Sequence, residues 1–383
     1  MEFLKTLVLI LIATTLVGHL FARIGIPAVI GQLLVGIVLG PALLGWVHAD
    51  EFTHIFSEIG VIILMFIAGL ESDLHLLKKY LRPSVVVALL GVLVPVVAIY
   101  PIGLGFGLTN FESLFLSVIF AATSVSISVA VMKELHILDG KSGSTVLGAA
   151  VVDDVLAVVI LSIMVSMMGS TTAGASQTPL VVTFIEQAAY FIAIYFVVRY
   201  IAPIMAKLGT KLLLPVGPTL MAVILCMGMA YVADMIGLSA VVGAFFAGIA
   251  IAQTPVAHEV DHSIEPIGYA IFIPVFFVSI GLNMSLVGIQ KDLLLIVVLT
   301  VVATLAKLLG AGLGAYWSQF NFNEAYLVGA GMVSRGEMAL IIAQIGYQAK
   351  LISGEYYSAI IAAIILTTLL APFLLKHAAK RLS

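Results

Sequence analysis

Ser142-Gly-Ser-Thr-Val-Leu-Gly-Ala-Ala-Val-Val-Asp153-Asp154-Val-Leu-Ala-Val-Val-Ile-Leu-Ser-Ile-Met-Val-Ser-Met-Met-Gly169 is long enough to cross a bilayer, and it carries two adjacent carboxylates near its middle. A charged side chain at that depth costs ~2.5–3.5 kcal/mol on insertion scales. Two in succession imply a polar pathway for the carboxylates to line. The function of the chain is to be sought at Asp153 and Asp154.

The composition sets the solvent. Hydrophobic residues make up 62% of the 383 and charged residues only 10%, where a soluble domain carries roughly a quarter charged. The chain reads as a polytopic, all-α membrane protein. Its net charge of -3 says little, because the distribution of charge matters more than the sum. The single cysteine, Cys226, excludes an intramolecular disulfide and a cysteine-rich metal site. No nucleophile–base pair or metal-ligand cluster stands out, so the reading is of a non-enzyme with no cofactor and no nucleic-acid partner. Phe3–Ala22 reads as a retained first helix rather than a signal peptide, because it has little basic flank and many spans follow.

Apolar runs of membrane length fall at 3–22, 27–46, 55–72, 83–105, 111–135, 142–169, 180–204, 213–234, 238–254, 264–283, 292–317, 323–348 and 356–376. That predicts thirteen transmembrane helices, with Pro27, Pro41, Pro215, Gly217 and Pro218 among the breaks. The cations test the count. Arg23, Lys78, Lys79, Arg82, Lys133, Lys141, Arg199, Lys207, Lys211, Lys376, Lys380 and Arg381 fall on one side, and Lys5, Lys291 and Lys350 on the other. By the positive-inside rule the N-terminus is outside and the C-terminus cytoplasmic.

Lys307 and Arg335 remain within spans. Lys307 is at least ~22 Å along its helix from either Asp292 or Glu324, too far to snorkel to water. Both cations need polar partners inside the protein. Further polarity at matching depth comes from Thr123-Ser124-Val-Ser-Ile-Ser128 in the fifth span and from Ser334-Arg335-Gly336-Glu337 in the twelfth. Hydroxyls compete for backbone hydrogen bonds, so both spans are expected to be broken near the membrane centre.

The two halves of the chain echo each other. Phe66-Ile-Ala-Gly69-Leu70-Glu-Ser-Asp73-Leu74 resembles Val278-Ser-Ile-Gly281-Leu282-Asn-Met-Ser285-Leu286, Gly36 to Gly40 has a looser counterpart in Gly243 to Gly248, and Ala122-Thr-Ser-Val125 falls against Met332-Val-Ser-Arg335. The offset is 212 for the first match and 210 for the third and spans seven helices, an odd number, so the repeats read as inverted in topology. Inverted repeats with a site at the midplane are typical of secondary transporters.

Neighbours on a helix point ~100° apart, so the two aspartates cannot do the same work. One can face an ion cavity while the other turns to a neighbouring helix, where Lys307 is the obvious partner. A hard cation such as sodium takes oxygen ligands, and the same carboxylate binds protons. Competition for one alternately exposed site couples the two fluxes. Glu71, Asp73, Glu186 and Asp234 read as charges near helix ends or interfaces. His258, Glu259, Asp261 and His262 read as a solvated loop that could sense pH, and Gly36 and Gly40 as helix-packing positions.

At Gly31-Gln-Leu-Leu-Val-Gly-Ile-Val-Leu-Gly-Pro41, Ala122–Ser128, Val152-Asp-Asp-Val155, Lys307 and Ser334-Arg-Gly-Glu-Met338, the chain resembles the second family of monovalent cation:proton antiporters, most of all the NapA-type sodium/proton antiporters. That resemblance implies an NhaA/NapA-like antiporter fold with two crossed, broken helices, and a homodimer in the lipid bilayer of a bacterial cell membrane. It implies scaffold helices in 1–78 and 212–290, an ion-carrying core in 79–175 and 291–383, and a linker helix in 176–211. Carried over, Asp154 binds Na+ (or Li+) and H+, with Asp153 a second candidate ligand that pairs with Lys307. Thr123 and Ser124 lie near the ion, and Arg335 and Glu337 stabilise the helix crossing. Relatives with this set are generally electrogenic. Potassium exchange is the alternative, and a cation channel a remoter one. Asp-Asp in place of Gln-Asp, and an end at Ser383 without a nucleotide-binding domain, favour sodium.

Overall fold

A computed structural model describes residues 2–23, 28–72, 74–167, 180–236, 238–283, 292–348, 352 and 354–382. Pro27, Asp73, Lys291, Lys350 and the 284–286 end of the repeat lie outside them. The described residues are all helical in their regular structure. In order come α1 (Glu2–Arg23), α2 (Ala28–Leu39), α3 (Glu51–Glu71), a short α4 (Leu74–Lys79) and α5 (Leu81–Gly105). Then come α6 (Asn110–Ala121), α7 (Val125–Glu134), α8 (Lys141–Met167), α9 (Leu180–Phe196), α10 (Ala202–Lys211), α11 (Gly217–Met235) and α12 (Ala240–Ala252). Last come α13 (Ala257–Ile267), α14 (Ile273–Leu282), α15 (Leu293–Trp317), α16 (Phe322–Gly331), α17 (Glu337–Gln348) and α18 (Gly354–Ala379).

Among the described residues, nine helical stretches are long and apolar enough to cross a membrane, and α2 and α12 are shorter apolar helices. Two joints are π-turns, Val197–Ile201 and Gly268–Phe272. Each is followed two residues later by a proline, Pro203 and Pro274. A proline ring clashes with the carbonyl one turn back and has no N–H to offer it, and a widened turn accommodates both.

The described ends of α6 and α16 repeat one device. Thr109 and Glu112 form a capping box at the start of α6, and Asn321 and Glu324 form one at the start of α16, 212 residues later in each case. Each box satisfies backbone donors that the first turn leaves orphaned.

The chain packs as two compact units. The first holds residues 1–50, 76–173 and 277–383. Within it α15 lies along α5, α8 packs on α5 and α16, and α18 packs on α15, α16, α17 and α7. Phe115, Ile119, Phe120, Leu299, Ile342 and Ile364 belong to its buried core. Gly36 of α2 sits against the backbone of Val278 and Gly281. The second unit holds residues 51–75 and 174–276, with α3 on α12 and α12 on α11. Its counterpart contact sets Gly69 against the backbone of Phe245 and Gly248. Gly248 is Gly36 advanced by 212, and Gly281 is Gly69 advanced by the same number, so the two glycine crossings are repeat images of each other.

One expectation is corrected. His258, Glu259, Asp261 and His262 are not a loop but part of α13. Val260 and Ile264 form its buried face while both histidines stay exposed, their rings stacked with centroids 6.5 Å apart. The reason is the i, i+4 spacing of Val260 and Ile264, which gives a polar segment one apolar stripe to bury. The second span is also shorter than read, because Gly40-Pro41 turns the chain after Leu39.

A Cβ at Gly69 or Gly281 would strike facing backbone, whereas Gly228 of α11 has open space around it. Overpacking of this kind costs about 1–3 kcal/mol. Gly69→Val and Gly281→Val should therefore each lower the thermal midpoint of the detergent-solubilised protein, and Gly228→Ala should not. A midpoint unchanged in both valine variants would show that these crossings are not tight.

Candidate functional site

The fifth span does not run through. α6 stops at Ala121, residues 122–124 are extended, and α7 begins at Val125. The twelfth span stops at Gly331, residues 333–336 leave the helix, and α17 begins at Glu337. The two breaks meet. The Ser124 amide donates to the Ser334 carbonyl at 2.8 Å, and the Ser334 hydroxyl donates to the Ser124 carbonyl at 2.6 Å. The Ser128 hydroxyl donates to the Gly331 carbonyl and lies 2.8 Å from the Ser334 hydroxyl. Gly336 has to be glycine for the breaks to touch, since a Cβ there would fall 2.5 Å from the Ser124 hydroxyl oxygen.

A helix that stops inside a membrane leaves its last carbonyls without partners, and no bulk water is there to take them. Two cations do so. Lys307 of α15 donates its ammonium to the Ala121 carbonyl. Arg335 donates Nε and Nη2 to the Phe120 carbonyl at 3.0 and 2.7 Å. Its Nη2 also reaches the Ala303 carbonyl at 2.9 Å and its Nη1 the Val333 carbonyl at 2.9 Å. The C-terminal end of a helix is the negative end of its dipole, so positive charge is favoured there on both counts. The Arg335 backbone carbonyl is held in turn by the Thr368 hydroxyl of α18.

Lys307 and Arg335 are fully buried. The countercharge comes from α8, where Asp153, 1% exposed, holds both carboxylate oxygens 3.4 Å from the Lys307 ammonium. That distance is at the long end for a charged hydrogen bond. Lys307 therefore leans on the helix end more closely than on the carboxylate. Asp154, on the next position of α8, is 8% exposed. The Thr123 hydroxyl lies buried in the break, with no protein partner among the described atoms. Asp153, Lys307, Arg335 and the 122–124 break thus come together at one place. Glu337 opens α17, but its side chain lies outside the described residues.

Some members of this cluster carried a weaker signal in the sequence. Ser128 lay at the edge of the hydroxyl stretch. Thr368 stands beside Thr367 in an apolar helix, a hydroxyl pair that could have been marked. The Phe120 and Ala303 carbonyls are invisible in side-chain chemistry. At the rim of the same unit, Lys141 pairs with Glu324 at 2.9 Å and stands 3.9 Å from the Phe320 ring, fastening the start of α8 to the start of α16.

The family model for the sodium/hydrogen exchanger, transmembrane, matches residues 7–381. The chain belongs to the sodium/hydrogen exchanger family. This exchanger is 52% identical over its full length to a Na+/H+ antiporter of Enterococcus hirae, covering 99% of that protein. It is 41% identical to the Na+/H+-K+ antiporter GerN of Bacillus cereus, over 98% of this chain and 96% of that one. Its fold is similar to that of the sodium proton antiporter MjNhaP1 of Methanocaldococcus jannaschii, with a TM-score of 0.71 at 18% identity, over 99% of this exchanger and 97% of that chain. It is a multi-pass membrane transporter and not an enzyme.

Removing one partner of a buried ion pair strands the other, at about 3–5 kcal/mol. Lys307→Met should therefore destabilise the exchanger strongly in a detergent melt. Adding Asp153→Asn should recover part of the loss, and only part, because the Ala121 carbonyl still lacks its donor. No recovery in the double variant would show that Asp153 is not the group left stranded.

Proposed function

We propose that this chain exchanges cytoplasmic Na+, or Li+, for external H+ by alternating access at a midplane site whose carrier is Asp154. The observation that carries the reading is the buried Asp153–Lys307 pair at the end of a broken helix, with a second carboxylate on the next position of α8. Asp154 binds the cation or a proton, and Thr123 and Ser124 supply oxygens beside it. Asp153 is the tether of Lys307 and a second candidate ligand. When a cation arrives, Asp153 turns from the lysine to the ion. The ammonium then keeps the Ala121 carbonyl, so releasing it does not strand a charge without any acceptor. Arg335 stays on the Phe120 and Ala303 carbonyls, and Glu337 completes the crossing.

In the same reading thirteen spans cross a bacterial plasma membrane, with the N-terminus outside and the C-terminus in the cytoplasm. Residues 79–175 and 291–383 carry the ion. Residues 1–78 and 212–290 form a dimer scaffold, and 176–211 link the two. The exchange is electrogenic, because the aspartates and Lys307 together offer more proton sites than sodium sites. Relatives named Na+/H+ antiporters support sodium. The relative named a Na+/H+-K+ antiporter makes potassium the second reading for the exchanged cation.

In everted membrane vesicles holding a preformed pH gradient, added sodium should dissipate the gradient, and Asp154→Ala should abolish that response. Titration with sodium, lithium and potassium in the same vesicles orders the cations. Equal sodium-independent leakage in wild type and variant would sink the proposal, and a response to potassium alone would replace sodium by potassium.

A further inference from the structure

In and beside the helices of this chain, many buried hydroxyls settle on the carbonyl one turn back. Thr14, Ser72, Ser84, Ser117 and Thr145 each donate to the i−4 carbonyl. Such back-bonding needs only the right side-chain rotamer. Thr300 and Thr304 of α15 do not use it. They are 7% and 8% exposed, and neither hydroxyl has a protein partner among the described atoms. With a remedy so near, two hydroxyls left unpaired in succession are turned towards something other than their own helix.

Their placement says where. Thr300, Thr304 and Lys307 follow at i, i+4 and i+7, one face of α15. The other face presents Val297, Val301, Leu305, Leu309 and Leu313, all exposed and apolar. On the packed side α15 runs antiparallel to α5, with Gly314 at Val87, Gly310 at Leu90 and the Lys307 ammonium beside Gly91. The same register carries Thr304 and then Thr300 towards and past the turn of α5 that holds Pro95. Proline has no N–H, so the Gly91 carbonyl loses its intrahelical donor there. By that register Thr304 comes level with Val97 and Thr300 with Pro101, whose missing N–H likewise leaves the Val97 carbonyl without its intrahelical donor. At a rise of ~1.5 Å per residue, the hydroxyls reach ~10 Å from Lys307 towards the Leu293 end of α15.

We propose that Thr300 and Thr304 line a narrow hydrated passage joining the Asp153–Lys307 pair to the aqueous face at the Leu293 end of α15. In the orientation proposed above that face is external. What passes is water and the protons it carries. A threonine hydroxyl accepts one hydrogen bond while donating another, so it orients water and keeps its own proton. The identity of the traffic rests on the exchange reading, whereas the existence of the passage does not.

The test is thiol accessibility in a Cys226→Ser background, with Thr300→Cys or Thr304→Cys as the one thiol. 2-Aminoethyl methanethiosulfonate is applied to one membrane face, a scavenger thiol is kept on the other, and labelling is read by mass. Only a thiolate reacts, and lipid suppresses ionisation, so both positions should label at least ~10-fold faster than Val301→Cys on the apolar face. They should do so from the Leu293 side, and equally in an Asp154→Ala background that does not transport. Labelling no faster than Val301→Cys, or only from the opposite side, overturns the passage. Labelled cysteines in a protein that fails the sodium assay would sink the exchange reading and leave the passage standing. As a second arm, Thr300→Val/Thr304→Val should slow exchange several-fold with half-saturation for sodium unchanged, and the double serine variant should restore the rate. Full-speed exchange in the valine pair also overturns the proposal.

Discussion

The carbonyls of Phe120 and Ala121 end a helix in the interior of a membrane protein, and almost every other feature of the site follows from that. A backbone carbonyl in hydrocarbon cannot turn to bulk water. Lys307 and Arg335 meet the need with ammonium and guanidinium donors placed at the negative end of the α6 dipole. Two buried cations then need an anion, and Asp153 lies within reach of Lys307. The broken helix, the cations and the carboxylate are links in one chain of electrostatic debts. Removing any link exposes the next to a medium that cannot solvate it.

The 212-residue repeat divides these duties unevenly. Backbone architecture is duplicated: a capping box begins both α6 and α16, and a glycine crossing joins α2 to α14 and, in its image, α3 to α12. Charge is not duplicated. The aspartates sit in the first half, and Lys307 and Arg335 in the second. Asp153 and Asp154 advanced by 212 fall on Ile365 and Leu366 of α18, apolar residues in place of carboxylates. An inverted repeat can thus supply matching helix breaks, while complementary charges hold one break against the other.

Much of the architecture could be read before any coordinates. The lengths of the apolar runs, the hydroxyl clusters and the Ser-Arg-Gly-Glu segment all indicate where helices run and where they stop. Lys307 announces itself by its distance from the ends of its helix. The reading went wrong at 258–262, where a density of charge suggested a loop. There Val260 and Ile264 give α13 a buried face, and tertiary packing overrides composition. Thr300 and Thr304 carry no mark in the sequence for the opposite reason. Threonine in an apolar helix usually satisfies itself, and only the facing helix reveals that these two do not.

The amino-acid sequence by itself determined that this chain lives in a bilayer, that it carries Asp153, Asp154, Lys307 and Arg335 within apolar runs, and that its halves repeat. Those properties are local, because each residue's cost of transfer into lipid is set by its own chemistry and its apolar flanks. Tertiary structure alone decided the partners: Lys307 on the Ala121 carbonyl as well as Asp153, Arg335 on Phe120 and Ala303, and Ser124 on Ser334. A backbone carbonyl carries no mark in the sequence. Which one becomes free, and which cation meets it, depends on where two distant helices break and how they are set against each other.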